Sequence, residues 1–138
     1  MSAPVRRTAL LLPLLCALAL PCHAATPAPK ADAISAAAFE STVTGPSGDR
    51  PVLVEFYTDE CPACREFKPV LAAAEQHYGD RISVVRVDVD ANPGLSERFS
   101  IRAIPTVILF DAGTAVHSKR GAMTTAELDA FVERHLEP

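Results

Sequence analysis

Beyond residue 24 the chain holds only two cysteines, Cys61 and Cys64, and tryptophan is absent from all 138 residues. Two sulfurs are too few for a structural zinc centre, which takes four ligands. The downstream histidines, His77, His117 and His135, stand singly and far apart, so no second pair completes such a centre. Long apolar runs are missing as well. The longest, Ala9 to Leu20, falls short of the ~18 apolar residues that a bilayer span needs. Basic residues are outnumbered, with 13 Lys and Arg against 17 Asp and Glu, which removes support for binding nucleic acid or an anionic membrane. No segment repeats.

The short apolar run follows Arg6 and Arg7 and precedes Pro21-Cys22-His23-Ala24-Ala25, an order that predicts a secretory signal peptide over residues 1–24 with cleavage near Ala24. An uncleaved anchor and lipoprotein processing at Cys22 are the competing readings, and Pro21 fits the second poorly. Residues 25–34 read as a flexible, proline-rich linker and 35–138 as one domain. The exported chain carries 11 Lys and Arg against 17 Asp and Glu, a net charge of −6. Export places the two cysteines in an oxidising compartment, where a lone pair is either a bridge or a catalyst of bridges.

The stretch Phe56-Tyr57-Thr58-Asp59-Glu60-Cys61-Pro62-Ala63-Cys64-Arg65 runs from an apolar strand into a helix. Cys61 is expected at the helix N-terminus, where unsatisfied N–H groups and the macrodipole favour a thiolate. Pro62 suits the first helical position, since it has no N–H to leave unpaired. Cys64, three residues on, shares the helix face, and the two sulfurs are within reach of a disulfide. Spacing alone fits a redox dithiol or half of a metal site; the want of further ligands and the placing of Cys61 at the helix start favour the dithiol over a metal site or an inert bridge.

Around it the chain alternates strand and helix. Ser35 is placed to cap a short helix carrying Phe39 and Val43, which Gly45 to Asp49 breaks. Val52 to Tyr57 reads as a strand covered on both faces. Pro62 to Tyr78 reads as an amphipathic helix with Pro69 inside it, expected to kink the axis. Strands are expected at Ile82 to Val89 and Ile104 to Phe110, separated by a short helix at Asn92-Pro93-Gly94 that holds Leu95 and Phe99. In the middle strand Val85, Val87 and Val89 alternate with Arg86, Asp88 and Asp90. A turn at Asp111 to Thr114 pairs the later strand with residues 115–120, and Thr124 and Glu127 form a capping box before a closing helix. This order predicts an α/β sandwich, a mixed sheet with helices on both faces.

The pattern from Pro51 to Leu136 resembles the thioredoxin family. Four features carry the likeness: Cys61-Pro62-Ala63-Cys64 after the strand, Arg86 to Gly94, Ile101-Arg102-Ala103-Ile104-Pro105-Thr106, and Arg120-Gly121-Ala122. The resemblance implies a thioredoxin-like three-layer sandwich with a central mixed sheet of about four strands. It also implies a cis Ile104–Pro105 bond against the dithiol, and a substrate groove formed by Ile104, Pro105, Thr106 and Gly121. Two places differ from the family pattern: Glu60 stands where a tryptophan usually precedes the first cysteine, and Pro62-Ala63 replaces Gly-Pro. Glu60 is expected to disfavour the Cys61 thiolate.

Glu55 is the one acid inside the apolar strand, at the place of the family's buried carboxylate. It is expected either to accept the Cys64 proton or to be solvated at a sheet margin. Arg86 matches the family's basic partner and is expected to hold Glu55 ionised. The resulting expectation is an exported, periplasmic thiol–disulfide oxidoreductase, a monomer with no cofactor besides its redox-active disulfide. It would act on protein or peptide disulfides and draw electrons from a membrane thiol donor. Reduction is favoured over oxidation. The other classes are a binding module without turnover and a metallochaperone using both thiolates.

Export makes a direct prediction. Intact-mass analysis of the protein from its native host should find a chain beginning near Ala25, and a membrane-bound chain retaining Met1 would overturn cleavage.

Overall fold

Val52–Tyr57 is buried at every position and forms the inner strand, β1, on which the architecture closes. The structure, a computed structural model, describes residues 33–45 and 50–137. The expected signal peptide, residues 25–32 of the expected linker and the turn residues 46–49 lie outside the described residues.

Ser35 accepts a hydrogen bond from the Ala38 amide and caps α1 (Ala36–Phe39), which continues as a wider π-helical turn over Glu40–Thr44. After β1 come α2 (Pro62–Tyr78), a 3₁₀ turn at Gly79–Arg81, β2 (Ser83–Asp88) and α3 (Pro93–Arg98). A hairpin of β3 (Thr106–Asp111) and β4 (Thr114–Arg120) leads to α4 (Thr125–Leu136), whose capping box at Thr124 and Glu127 forms as expected.

The sheet order is β2-β1-β3-β4, with β1 parallel to β2 and antiparallel to β3, and β3 antiparallel to β4. Alternation along the strands divides the core in two. Leu53, Val107 and Leu109 pack with Phe67 and Leu71 of α2 and with Leu128 and Val132 of α4. Val54, Phe56, Ile108 and Phe110 pack on the other face with Phe39 of α1 and Leu95 of α3. Phe99 joins that second layer, 5.5 Å from Phe39 and 5.2 Å from Phe110 between ring centroids. The result is the three-layer α/β sandwich that the sequence predicts.

Three local differences have physical causes. β3 begins at Thr106 rather than Ile104, and Ile104–Pro105 is a cis peptide bond in the bend before it. β2 is shorter than expected, and Asp88 at its end is buried rather than solvent-facing. The Asp88 carboxylate is satisfied by the amides of Asp90 (3.0 Å) and Ala91 (3.4 Å), so it caps the following loop. Finally Ile34, at the end of the segment expected as linker, donates its amide to the Arg86 carbonyl at 3.0 Å and is tied to the outer edge of β2.

The hairpin tip needs a glycine. Ala112 and Gly113 both adopt positive φ, 46° and 78°, and a Cβ at Gly113 would lie 2.8 Å from the Thr44 carbonyl oxygen.

Candidate active site

The chain leaves β1 at Tyr57, turns through Thr58 to Glu60, and enters α2 at Pro62. The turn is held by the Arg65 guanidinium, which donates to the Asp59 carbonyl at 3.0 Å, and by the Cys61 amide to the Thr58 carbonyl. Cys61 is the N-cap, with extended backbone at φ −74° and ψ 110°. Its Sγ accepts a hydrogen bond from the Cys64 amide at 3.1 Å. Pro62 occupies the first helical turn, where a missing N–H leaves nothing unpaired.

Cys61 and Cys64 form a disulfide with their Cα atoms 5.3 Å apart. The two sulfurs have unequal surroundings. Cys64 is fully buried, whereas Cys61 is half-buried and flanked by exposed Glu60 and Pro62. A helix N-terminus that also points an amide at Cys61 favours negative charge on that sulfur alone.

Glu55 is 0% exposed, on the β1 face that carries Leu53 and Tyr57 toward α2. It lies beside Arg86 in the parallel ladder, and the Arg86 Nε donates to its Oε2 at 2.6 Å. Its other oxygen, Oε1, is buried without a hydrogen-bond partner among the described residues. An unpaired buried acceptor costs about 1–3 kcal/mol, so Oε1 is a costly place to hold a full negative charge. Burial pushes the Glu55 carboxyl above its ordinary range, while the bond and charge of Arg86, and the charge of Lys68 on α2, oppose it. Arg86 is the expected ion-pair partner and acts in the expected direction, favouring the ionised carboxylate, while desolvation is the larger and opposing influence.

The Arg86 guanidinium also lies over the Tyr57 ring, 3.8 Å from its centroid. Tyr57 was not singled out by the sequence, where it reads as one more apolar strand residue. Its place two residues after Glu55, on the same face of the strand, is the signal that could have found it.

The remaining expected residues gather at the same end of the sheet. Thr106 pairs with Phe56 on one side and with Arg120 on the other, so Pro105 and Gly121 lie beside the point where β1 runs out toward Cys61. The Gly121 amide donates to the Pro105 carbonyl at 2.7 Å, with Gly121 at φ 87°. Ile104 is partly exposed, whereas Pro105 and Thr106 are buried. The Thr106 hydroxyl donates to the Ala103 carbonyl at 2.6 Å, which commits its one donor and leaves the oxygen only as an acceptor. Ala63, between the cysteines, is partly buried in the first turn of α2.

With this geometry in view, the sequence profile of the thioredoxin family matches residues 30–134. The chain belongs to the thioredoxin family. It is similar to thioredoxin of Acidithiobacillus ferridurans, 37% identical over 103 residues that cover 75% of this chain and 94% of that protein. Thioredoxin 1 of Synechococcus elongatus is 36% identical over 106 residues, covering 77% of this chain and 97% of the relative. Chloroplastic thioredoxin X of Arabidopsis thaliana is 39% identical over 97 residues, which are 69% of this chain and 52% of that protein. Membership, together with the bonded Cys61–Cys64 pair, makes the protein a thiol–disulfide oxidoreductase of the thioredoxin class, acting on protein disulfides.

The buried carboxyl has a measurable consequence. Because burial raises the folded-state pKa of Glu55 above its unfolded value, the folded state holds that proton more tightly. Stability from this group is fully present below the unfolded pKa, near 4.3, and is lost as pH rises through the folded one. Glu55→Gln is neutral throughout and escapes that loss. In urea titrations of the oxidised protein, the stability of Glu55→Gln relative to the wild type should grow as pH rises from about 4. A difference that does not change with pH would show that the carboxyl carries no raised pKa.

Proposed function

We propose that this oxidoreductase is exported and reduces protein disulfides by a two-step exchange in which Cys61 attacks and Cys64 resolves. The observation that carries the assignment is the asymmetry of the pair: the Cys64 amide donates to Cys61 Sγ, and Cys64 itself is buried. In the first step the Cys61 thiolate bonds to one sulfur of the substrate disulfide. The substrate S–S bond breaks, and its other sulfur leaves as a thiolate that takes a proton from solvent. In the second step Cys64 loses its proton and attacks Cys61 Sγ. The Cys61–Cys64 disulfide closes, and the second substrate thiolate is released. Two electrons pass to the substrate, and a dithiol donor must return them. A membrane thiol relay suits an exported protein in a Gram-negative cell.

Glu55 is the group proposed to accept the Cys64 proton, directly or through water. Three features support it: the carboxyl is buried, burial raises its proton affinity, and Oε1 has no other partner. Ile104, Pro105, Thr106 and Gly121 form the proposed groove for an extended substrate strand, with Thr106 contributing through its backbone. The exposed Glu60 works against the thiolate at Cys61, which favours a reductant over an oxidant. No metal, nucleotide or flavin enters this scheme.

Two experiments test it. Cys61→Ser should capture no disulfide substrate, whereas Cys64→Ser should accumulate covalent complexes that reductant dissolves, both read on non-reducing gels from an exporting host. Equal trapping by both variants, or by neither when substrate disulfides are abundant, would sink the assignment of roles. For direction, the Cys61/Cys64 couple should have a reduction potential near −270 mV, roughly that of a reducing thioredoxin, and a value near about −120 mV would reverse it.

A further inference from the structure

An arginine facing a buried carboxylate ordinarily closes a two-pronged fork, donating to both oxygens at once. Here it does not. Arg86 engages Oε2 through Nε, and Oε1 is left without a partner although both residues are packed together in one ladder. A cleft of about 340 Å³ borders Arg86, lined also by Lys68, Ala72, Glu75 and Val84. On its other side lies the Tyr57 ring, 3.8 Å from Cζ to centroid and only 2% exposed. A guanidinium stacked on an aromatic face in a dry setting gives up that contact when it rotates, and the contact is strongest where water is excluded.

We propose that Tyr57 is a positioning residue: by stacking on Arg86 it restricts the ion pair to one carboxylate oxygen and keeps Glu55 Oε1 open to take a proton. The proposal rests on the reading of Glu55 as proton acceptor given above. Among the described residues the charged groups that act on Glu55 are Arg86 from β2 and Lys68 from α2, and Glu75 of α2 lines the same cleft as those two. From β3 the neighbour is Val107, which carries no charge. Without the Tyr57 ring, Arg86 closes the fork, both oxygens are occupied, and the ionised carboxylate is held more firmly.

The test follows the Glu55 side-chain carboxyl by ¹³C NMR in the oxidised protein, where neither cysteine titrates. Tyr57→Leu should lower its midpoint by about half to one pH unit, and Tyr57→Phe, which keeps the ring, should leave it near the wild-type value. Loss of a large ring also admits water, which lowers the midpoint by another route. The Arg86→Gln background separates the two: there Tyr57→Leu should move the midpoint little, since no guanidinium remains to be released. An unchanged midpoint in Tyr57→Leu, an equal fall in the Arg86→Gln background, or a fall in Tyr57→Phe as large as in Tyr57→Leu would each overturn the proposal. Should Tyr57→Leu fail to fold, Tyr57→Met serves the same comparison. Release of the mixed disulfide, measured on the same variants, isolates the underlying reading. A midpoint that moves as expected with an unchanged release rate supports the clamp and overturns Glu55 as the acceptor.

Discussion

A strand covered on both faces has nowhere to put a charge, and β1 carries one at its centre. Glu55 can be kept there only with a partner delivered from the neighbouring strand, because an ionised group left alone in such a setting is far too costly. The parallel register that sets Arg86 beside Glu55 also fixes the crossover through α2, since parallel neighbours need a long connection. That connection begins with the dithiol. The pairing of one buried acid thus bears on strand order, on helix placement and on where the cysteines emerge.

Much of this was legible in the residues. The run of β-branched and aromatic side chains from Val52 to Tyr57 bounds β1 as observed, and Pro62 and Gly79 mark the two ends of α2 because one lacks a donor and the other tolerates a left-handed backbone. Thr124 and Glu127 announce α4 through their reciprocal hydrogen bonds. Less legible were residues whose roles come from contacts across the sheet. Asp88 obeys the alternation of a solvent-facing acid and yet is buried, since the loop amides it accepts from are not visible as a pattern. Tyr57 looks like strand filler until the register brings Arg86 over its ring. Arg86 was placed correctly as the partner of Glu55, but sequence has no measure of dehydration, and dehydration prevails at that carboxyl.

The site separates tasks by depth. Cys61, at the surface, meets the amide of Cys64 and the open end of a helix; Cys64 and Glu55 lie beneath, away from water. Charge at the outer sulfur is favoured by fixed dipoles, whereas proton affinity at the inner carboxyl is raised by burial. Glu60, at the place of the family's usual tryptophan, lies on the exposed rim, whereas Cys64 and Glu55 are buried beneath it.

The hairpin tip has a consequence for anyone altering this protein. Gly113 serves two demands at once, a left-handed turn and close approach to the Thr44 carbonyl at the end of the N-terminal helical segment. A β-hairpin loop usually invites inserted epitopes, affinity tags or extra residues, because it points to solvent and connects strands that pair without it. This one abuts another part of the chain. Extending it would lever the turn at Thr44 away from the layer that holds Phe39 and Val43, so a graft is better carried at another surface position than at this seemingly convenient loop.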